Sequence, residues 1–233
     1  MLTPRRIPAH ELLDEHDAPR ADMERSLRDL RRFNRWAGGQ RIYRKLLRRL
    51  WSGGLSARRG RQAESLSLHS VLDVGAGSCE LVESLSASCL RIGLDFKIEH
   101  LLYLRDGSPV HRIVGDAHHL PFRDGAVDVV TSSHFFHHFS PAENEAILGE
   151  AIRVARRGVS VNDTRRHYVP LLFVLLLGAF RLVGRITRFD APASVRQGYT
   201  LAEARTIAER VPAARRKVVR AWPFRFGILL WKT

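Results

Sequence analysis

The residues best equipped for chemistry lie in "VLDVGAGSCE", Val71–Glu80, and in "IGLDF", Ile92–Phe96. Asp73 stands at the end of an apolar run, and Gly75 and Gly77 follow at once. A backbone without Cβ atoms lets a ligand come close, and the first amides of the next helix point at any negative group. Asp95 ends a second apolar run, where a carboxylate can accept from two ribose hydroxyls. Asp116 follows a third run and can serve an adenine amino group. A GxGxxG pattern with a later acid would read as a dinucleotide fingerprint, but Glu80 occupies the third glycine position. No GK[ST] follows, so a P-loop is excluded. Glycines with acids at three successive strand ends point to a nucleoside-bearing ligand.

"SSHFFHHF", Ser132–Phe139, supplies His134, His137 and His138 directly after a fourth apolar run. An imidazole titrates near neutrality, so each is a candidate base or substrate-orienting group as well as a candidate structural histidine. His118 and His119 could join them in a cluster, yet no carboxylate or cysteine accompanies them at a metal-ligand spacing, and no metal site is expected. Cys79 and Cys89 form no CxxC and imply no disulfide framework.

These residues need a scaffold, and the periodicity supplies one. The first twenty residues are polar and proline-punctuated, which predicts a loosely docked arm. From Asp22 the apolar residues Met23, Leu27, Leu30, Phe33, Ile42, Leu46, Leu47 and Leu50 recur at helical steps, split at Gly38 and Gly39. Ser52–Ser65 reads as a linker. Strands are then predicted over 66–74, 90–96, 110–116, 126–133 and 157–163, alternating with helices over 80–88, 98–105 and 142–155. A helix over 200–211 precedes a closing hairpin over 217–224 and 225–233. Short apolar strands alternating with helices imply a mostly parallel sheet covered on both faces. The expected organisation is an N-terminal arm, helical lid and linker over 1–65, and a cofactor-binding domain over 66–233 with a substrate-covering insertion at about 164–200.

In these motifs the chain resembles the class I S-adenosylmethionine-dependent methyltransferases. "LDVGAGSCE" is similar to their first motif, "IGLDF" to their ribose-binding acid and "VGDAHHLPF" to their adenine-side segment. "FRDGAVDVVTSSHFFHHF" and "RVARRGVSVND" resemble their fourth and fifth strands. The resemblance implies an α/β, Rossmann-like, seven-stranded sheet with a C-terminal antiparallel hairpin, and S-adenosylmethionine as cofactor. It implies that Asp73, Gly75 and Gly77 line the methionine half, that Asp95 holds the ribose beside Phe96, and that Asp116 and Ala117 face the adenine. Ser132 and Ser133 would lie beneath the sulfonium.

For the acceptor, the proline-aromatic motif of nucleic-acid amino methyltransferases is missing: the chain reads "VVTSSHFF". Oxygen or carbon of an apolar small molecule is therefore expected. Flanking text resembles a bacterial subgroup associated with phenolic and polyketide secondary metabolism. In that reading Phe33, Trp36 and Tyr43 form a lid, and Arg188, Asp190 and Tyr199 reach the pocket rim. A quinone-type C-methyltransferase, an RNA methyltransferase and a non-catalytic binding protein are the rival readings. The net charge of +14 is carried mainly by arginine and motivates the RNA rival. "YVPLLFVLLLGAFRLVG", Tyr168–Gly184, is too short to cross a bilayer and is flanked by arginines. It suits a buried helix, a greasy pocket wall or a membrane surface. The N-terminus has no signal-peptide core, so a cytoplasmic protein, with membrane contact allowed, is expected.

Overall fold

The computed structural model describes residues 3–15, 18–36, 38–54, 70–103 and 107–232. The predicted linker over 55–65, the first residues of the predicted strand over 66–69 and the end of the helix predicted over 98–105 lie outside the described residues. A short 3-10 turn, Leu12–Asp14, precedes helices α1 (Arg20–Trp36) and α2 (Gly39–Gly54). The α/β part then runs β1 (Ser70–Val74), α3 (Glu80–Glu83), β2 (Leu90–Asp95), α4 (Ile98–Leu102), β3 (Val110–Val114), β4 (Val127–Ser133), α5 (Pro141–Val154) and β5 (Ala155–Thr164). Helices α6 (Tyr168–Ala179), α7 (Arg185–Gln197) and α8 (Leu201–Arg210) lead to β6 (Arg215–Ala221) and β7 (Arg225–Trp231).

The sheet order is β3-β2-β1-β4-β5-β7-β6. Strands β1 to β5 are parallel, and β7 runs antiparallel between β5 and β6. The central strands β1 and β4 are buried along their whole length, as their continuous apolar text requires. Helix starts follow local chemistry. Ser140 and Glu143 close a capping box on α5 with Pro141 in its first turn, and Thr200 and Glu203 do the same for α8. Helix α3 is shorter than predicted. Ser84 Oγ donates back to the Leu81 carbonyl at 2.6 Å, a local bond that competes with helix continuation.

One sheet face packs on Ile147, Leu148, Ile207 and Ala208 from α5 and α8. The other packs on α2 through Ile42, Tyr43, Leu46, Leu47 and Leu50, against Val71, Val129, Leu229 and Trp231. Helix α2 is thus a core helix and not a lid, and it begins to occupy the predicted linker by running to Gly54. Trp36, 85% exposed, covers nothing, while Tyr43 is buried and its hydroxyl meets Thr131 Oγ1 at 2.9 Å. The arm also differs from expectation, because it is bolted down. Asp190 accepts from the Leu12 and Leu13 amides, and Lys97 donates to the carbonyls of Leu13 and Glu15. Glu11 accepts from Ser194 and Gln197.

Candidate active site

A cleft of about 470 Å³ opens over the carboxyl ends of β1, β2 and β4. This is where the strand order reverses between β1 and β4, the usual ligand crevice of an open parallel sheet. Asp73 comes off β1 into the wall of this cleft, and the chain then turns through Gly75 at φ +67° and Gly77 at φ +51°. A Cβ on Gly75 would stand 2.3 Å from the Phe135 ring, so a side chain is excluded both by conformation and by space.

The acids differ in their surroundings. Asp95 is fixed by the loop it faces: its Oδ2 accepts from the Gly77 amide at 2.7 Å and its Oδ1 from the Lys97 amide at 2.9 Å. A carboxylate has about four acceptor sites, so capacity remains for a ligand. Asp73 is buried, and its Oδ1 accepts from Thr131 Oγ1 at 2.8 Å. Burial pushes its carboxyl up to about 7, opposed by the Thr131 bond and reinforced by the charges of Asp95 and Glu80. Asp116 is open to solvent and accepts from the His118 amide, which lowers its pKa. Phe96, Asp116 and Ala117 line the same cleft.

The two serines part company. Ser133 lines the cleft, and its hydroxyl is buried with no hydrogen-bond partner among the described residues. Ser132 points to the opposite sheet face, toward Phe136, Ile147 and Val161, because side chains alternate along a strand. Of the two serines expected beneath the sulfonium, Ser133 alone lines the cleft.

The three histidines also separate. His137 is buried, donates from Nδ1 to Asp163 Oδ1 at 2.8 Å and lies with Nε2 3.4 Å from Glu11 Oε1. Against its burial, Asp163 and Glu11 hold its pKa up at about 10, so it is an imidazolium with both nitrogens engaged and no base function. Asp163 is correspondingly held well below the usual carboxylate range, its burial outweighed by His137. His138 stacks on His137 at 4.3 Å and places Nδ1 3.2 Å from Asp14 Oδ2. His134 has φ +54°, and its Nδ1 is 3.3 Å from Thr164 Oγ1. Burial and the Arg225 cation hold it well below the ordinary histidine value, hence neutral at pH 7.

Sequence reasoning missed Glu11, Asp14, Leu27, Leu30, Asn34 and Glu80 as cleft residues. It also missed that a carboxylate joins the histidines: Glu11, His137 and His138 bring ligand-type atoms within 4.8 Å of one another. Only the docking of the arm creates that group, so no spacing could have shown it. Of the proposed rim residues, Asp190 is spent on the arm, Tyr199 is buried and donates to the Phe139 carbonyl, and Arg188 lies exposed on α7.

Residues 72–161, from β1 to β5, match the methyltransferase-domain family. No curated protein matches the chain. Among solved structures, the plantazolicin methyltransferase BpumL, in complex with a desmethyl analogue and S-adenosylhomocysteine, superposes with a TM-score of 0.62 at 11% identity, covering 92% of this chain and 96% of that one. The magnesium protoporphyrin IX methyltransferase of Synechocystis PCC 6803, with S-adenosylhomocysteine bound, gives 0.54 at 15% identity, covering 84% of each. An S-adenosylmethionine-dependent methyltransferase from Aquifex aeolicus gives 0.51 at 21% identity, over 71% of this chain and 82% of that one. The cleft has the features this cofactor needs: a buried carboxyl awaiting a cation, a glycine turn stripped of side chains and an unspent hydroxyl at Ser133. Residues 72–161 thus carry a methyltransferase domain, and the strand order is that of the S-adenosylmethionine-dependent methyltransferase structures that the chain resembles.

Proposed function

We propose that the enzyme methylates oxygen, or carbon, of an apolar small molecule of phenolic or polyketide type. The observation that carries this is the cleft wall beyond the acids, where Leu13, Leu27, Leu30, Phe135 and Phe139 meet. An apolar stretch of wall beside the polar end of the cleft suits a hydrophobic acceptor held by shape. Similar structures include one named a putative O-methyltransferase and one named for magnesium protoporphyrin IX, which supports a small-molecule acceptor. Within the chain, the region 1–65 supplies the arm and α1 beside the cleft and α2 beneath the sheet, and 66–233 the cofactor-binding domain.

In this reading Asp73 and the Gly75–Gly77 turn take the methionine end, Asp95 the ribose, and Phe96, Asp116 and Ala117 the adenine. Ser133 lies under the sulfonium. When bound, the cofactor supplies an electrophilic methyl group. The chain's own contribution is to align the acceptor and keep water out, a task given to the arm and α1. Neutral His134 accepts or steers the acceptor's hydroxyl proton. His137 holds the arm closed and does no proton transfer.

The test is calorimetric titration with S-adenosylmethionine and S-adenosylhomocysteine, followed by an acceptor screen of phenols, quinones and polyketide acids. Micromolar binding that Asp95→Ala abolishes, and a turnover lost in His134→Ala at unchanged cofactor affinity, are expected. Folded protein that binds neither compound would overturn the cofactor site. Full turnover in His134→Ala would remove the histidine from the chemistry.

A further inference from the structure

We propose that the α6–α7 hairpin seats this protein on the surface of an anionic phospholipid bilayer. Helix α6 lines neither the active-site cleft nor the sheet core; it packs on α7. Its residues Leu172, Phe173, Leu175 and Leu176 are all exposed, and Phe180 and Leu182 extend the patch beyond its end. At 100° per residue the exposed apolar positions from Tyr168 to Phe180 sweep an arc of roughly 160°. The other side of the helix is committed. Leu171 and Gly178 are buried, and a Cβ on Gly178 would stand 2.7 Å from Arg188 Cγ of α7. This close approach prevents the helix from rolling its apolar arc inward. A contiguous apolar surface of this kind marks an interaction site.

Charge and shape identify the partner. From Thr164 to Phe189 the chain has no Asp or Glu, while Arg165, Arg166, Arg181, Arg185 and Arg188 stand at both ends of α6. Arg181, Arg185 and Arg188 are exposed. Arg166 is buried and paired with Glu203, so the exposed arginines gather past the C-terminal end of α6, where the helix meets hydrocarbon below and phosphate alongside. At twelve residues α6 is about 18 Å long, against about 30 Å for a crossing, so it lies in the interface plane. No helix among the described residues is long and apolar enough to cross a membrane. Tyr168 opens the helix, and exposed Trp222 lies beside its start, linked through Phe224 to the capping residue His167 at ring distances of 6.3 and 5.3 Å. Tyrosine and tryptophan are the residues that prefer the headgroup layer. The docking is independent of which acceptor the enzyme uses. It does bring the lipid to a hairpin whose α7 also carries Ser194 into the cleft wall.

The test is sedimentation of the full chain with phosphatidylcholine vesicles, with and without phosphatidylglycerol, beside the double variant Phe173→Glu, Leu176→Glu. Both side chains are on the surface, so the variant is expected to fold, which its melting temperature checks. The wild type should pellet with the phosphatidylglycerol vesicles and retain part of that binding at high salt. The variant should lose roughly tenfold or more in vesicle affinity, with S-adenosylmethionine affinity unchanged. Undiminished binding by the variant would show attraction by charge alone and overturn the proposal. So would a wild type that ignores the vesicles, or one that forms a dimer dissolved by the two substitutions. The cofactor titration is read separately, so failure here and failure of the methyltransferase reading are distinguishable.

Discussion

Asp73 gives the sharpest test of the site, because its surroundings make cofactor binding a proton-release reaction. Its carboxyl is buried and titrates at about 7 in the unliganded protein. In the proposed reading the methionine end of S-adenosylmethionine brings an ammonium to the ionised carboxylate. At pH 6 about one tenth of the protein is ionised at this position, and at pH 7.5 about three quarters. Apparent affinity scales with the competent fraction, so it should strengthen about eightfold across that interval. An α-amino group with a pKa of about 7.7–8.0 has lost about a third of its charge by pH 7.5, which trims the net gain to about fivefold or sixfold. Calorimetry in two buffers of different ionisation heat would read both the affinity and the proton released. Asp73→Asn should bind weakly and flatten the pH profile. Thr131→Val removes the 2.8 Å hydrogen bond that opposes the shift, so its midpoint should move above that of the wild type. The sign for folding is opposite: between the ordinary carboxylate value and about 7, the unfolded chain has released a proton the folded one keeps, so unliganded stability falls as pH rises. A wild-type affinity that stays constant from pH 6 to 7.5, while Asp95→Ala still weakens binding, would refute this account of Asp73.

Gly75→Ala should destabilise the protein by about 2–4 kcal/mol, combining a left-handed backbone with a clash against Phe135, and should abolish cofactor binding; denaturant melts that match the wild type would contradict this. His137→Gln leaves Asp163 buried without its cation and should cost about 3–5 kcal/mol near pH 6. The His137 pKa is raised to about 10, so the stabilisation is complete below about 6.5 and fades as pH climbs through 10. Urea titrations of both proteins from pH 6 to 10 should therefore converge, and a gap independent of pH would show that the ion pair is not its source. The same substitution should expose the arm to proteolysis, because Glu11 loses its contact with the imidazolium.

The placement of acids and glycines at the strand ends was legible in the chain because it is local. An acid and two glycines after β1, an acid ending β2 and an acid after β3 lie a few residues from the turns that place them, and those turns are dictated by the alternation of apolar runs and helices. The five parallel strands and the closing hairpin follow from the same pattern. Finer features of the site were not legible, and each has a physical reason. Ser132 and Ser133 are neighbours in sequence, yet the pleat sends them to opposite faces, and only the register of β4 decides which one meets the cleft. His134, His137 and His138 look interchangeable as text. They became a neutral imidazole, a locked imidazolium and a stacked partner because Arg225, Asp163 and Glu11 arrive from distant segments and set the local potential. Helix α2 had the apolar stripe of a lid and of a core helix alike; burial beneath β1 and β4 made it core. The apolar run of α6 fitted burial or exposure equally well. Its close packing on Arg188 of α7 left the greasy face outside, a choice made by tertiary contact and not by hydropathy.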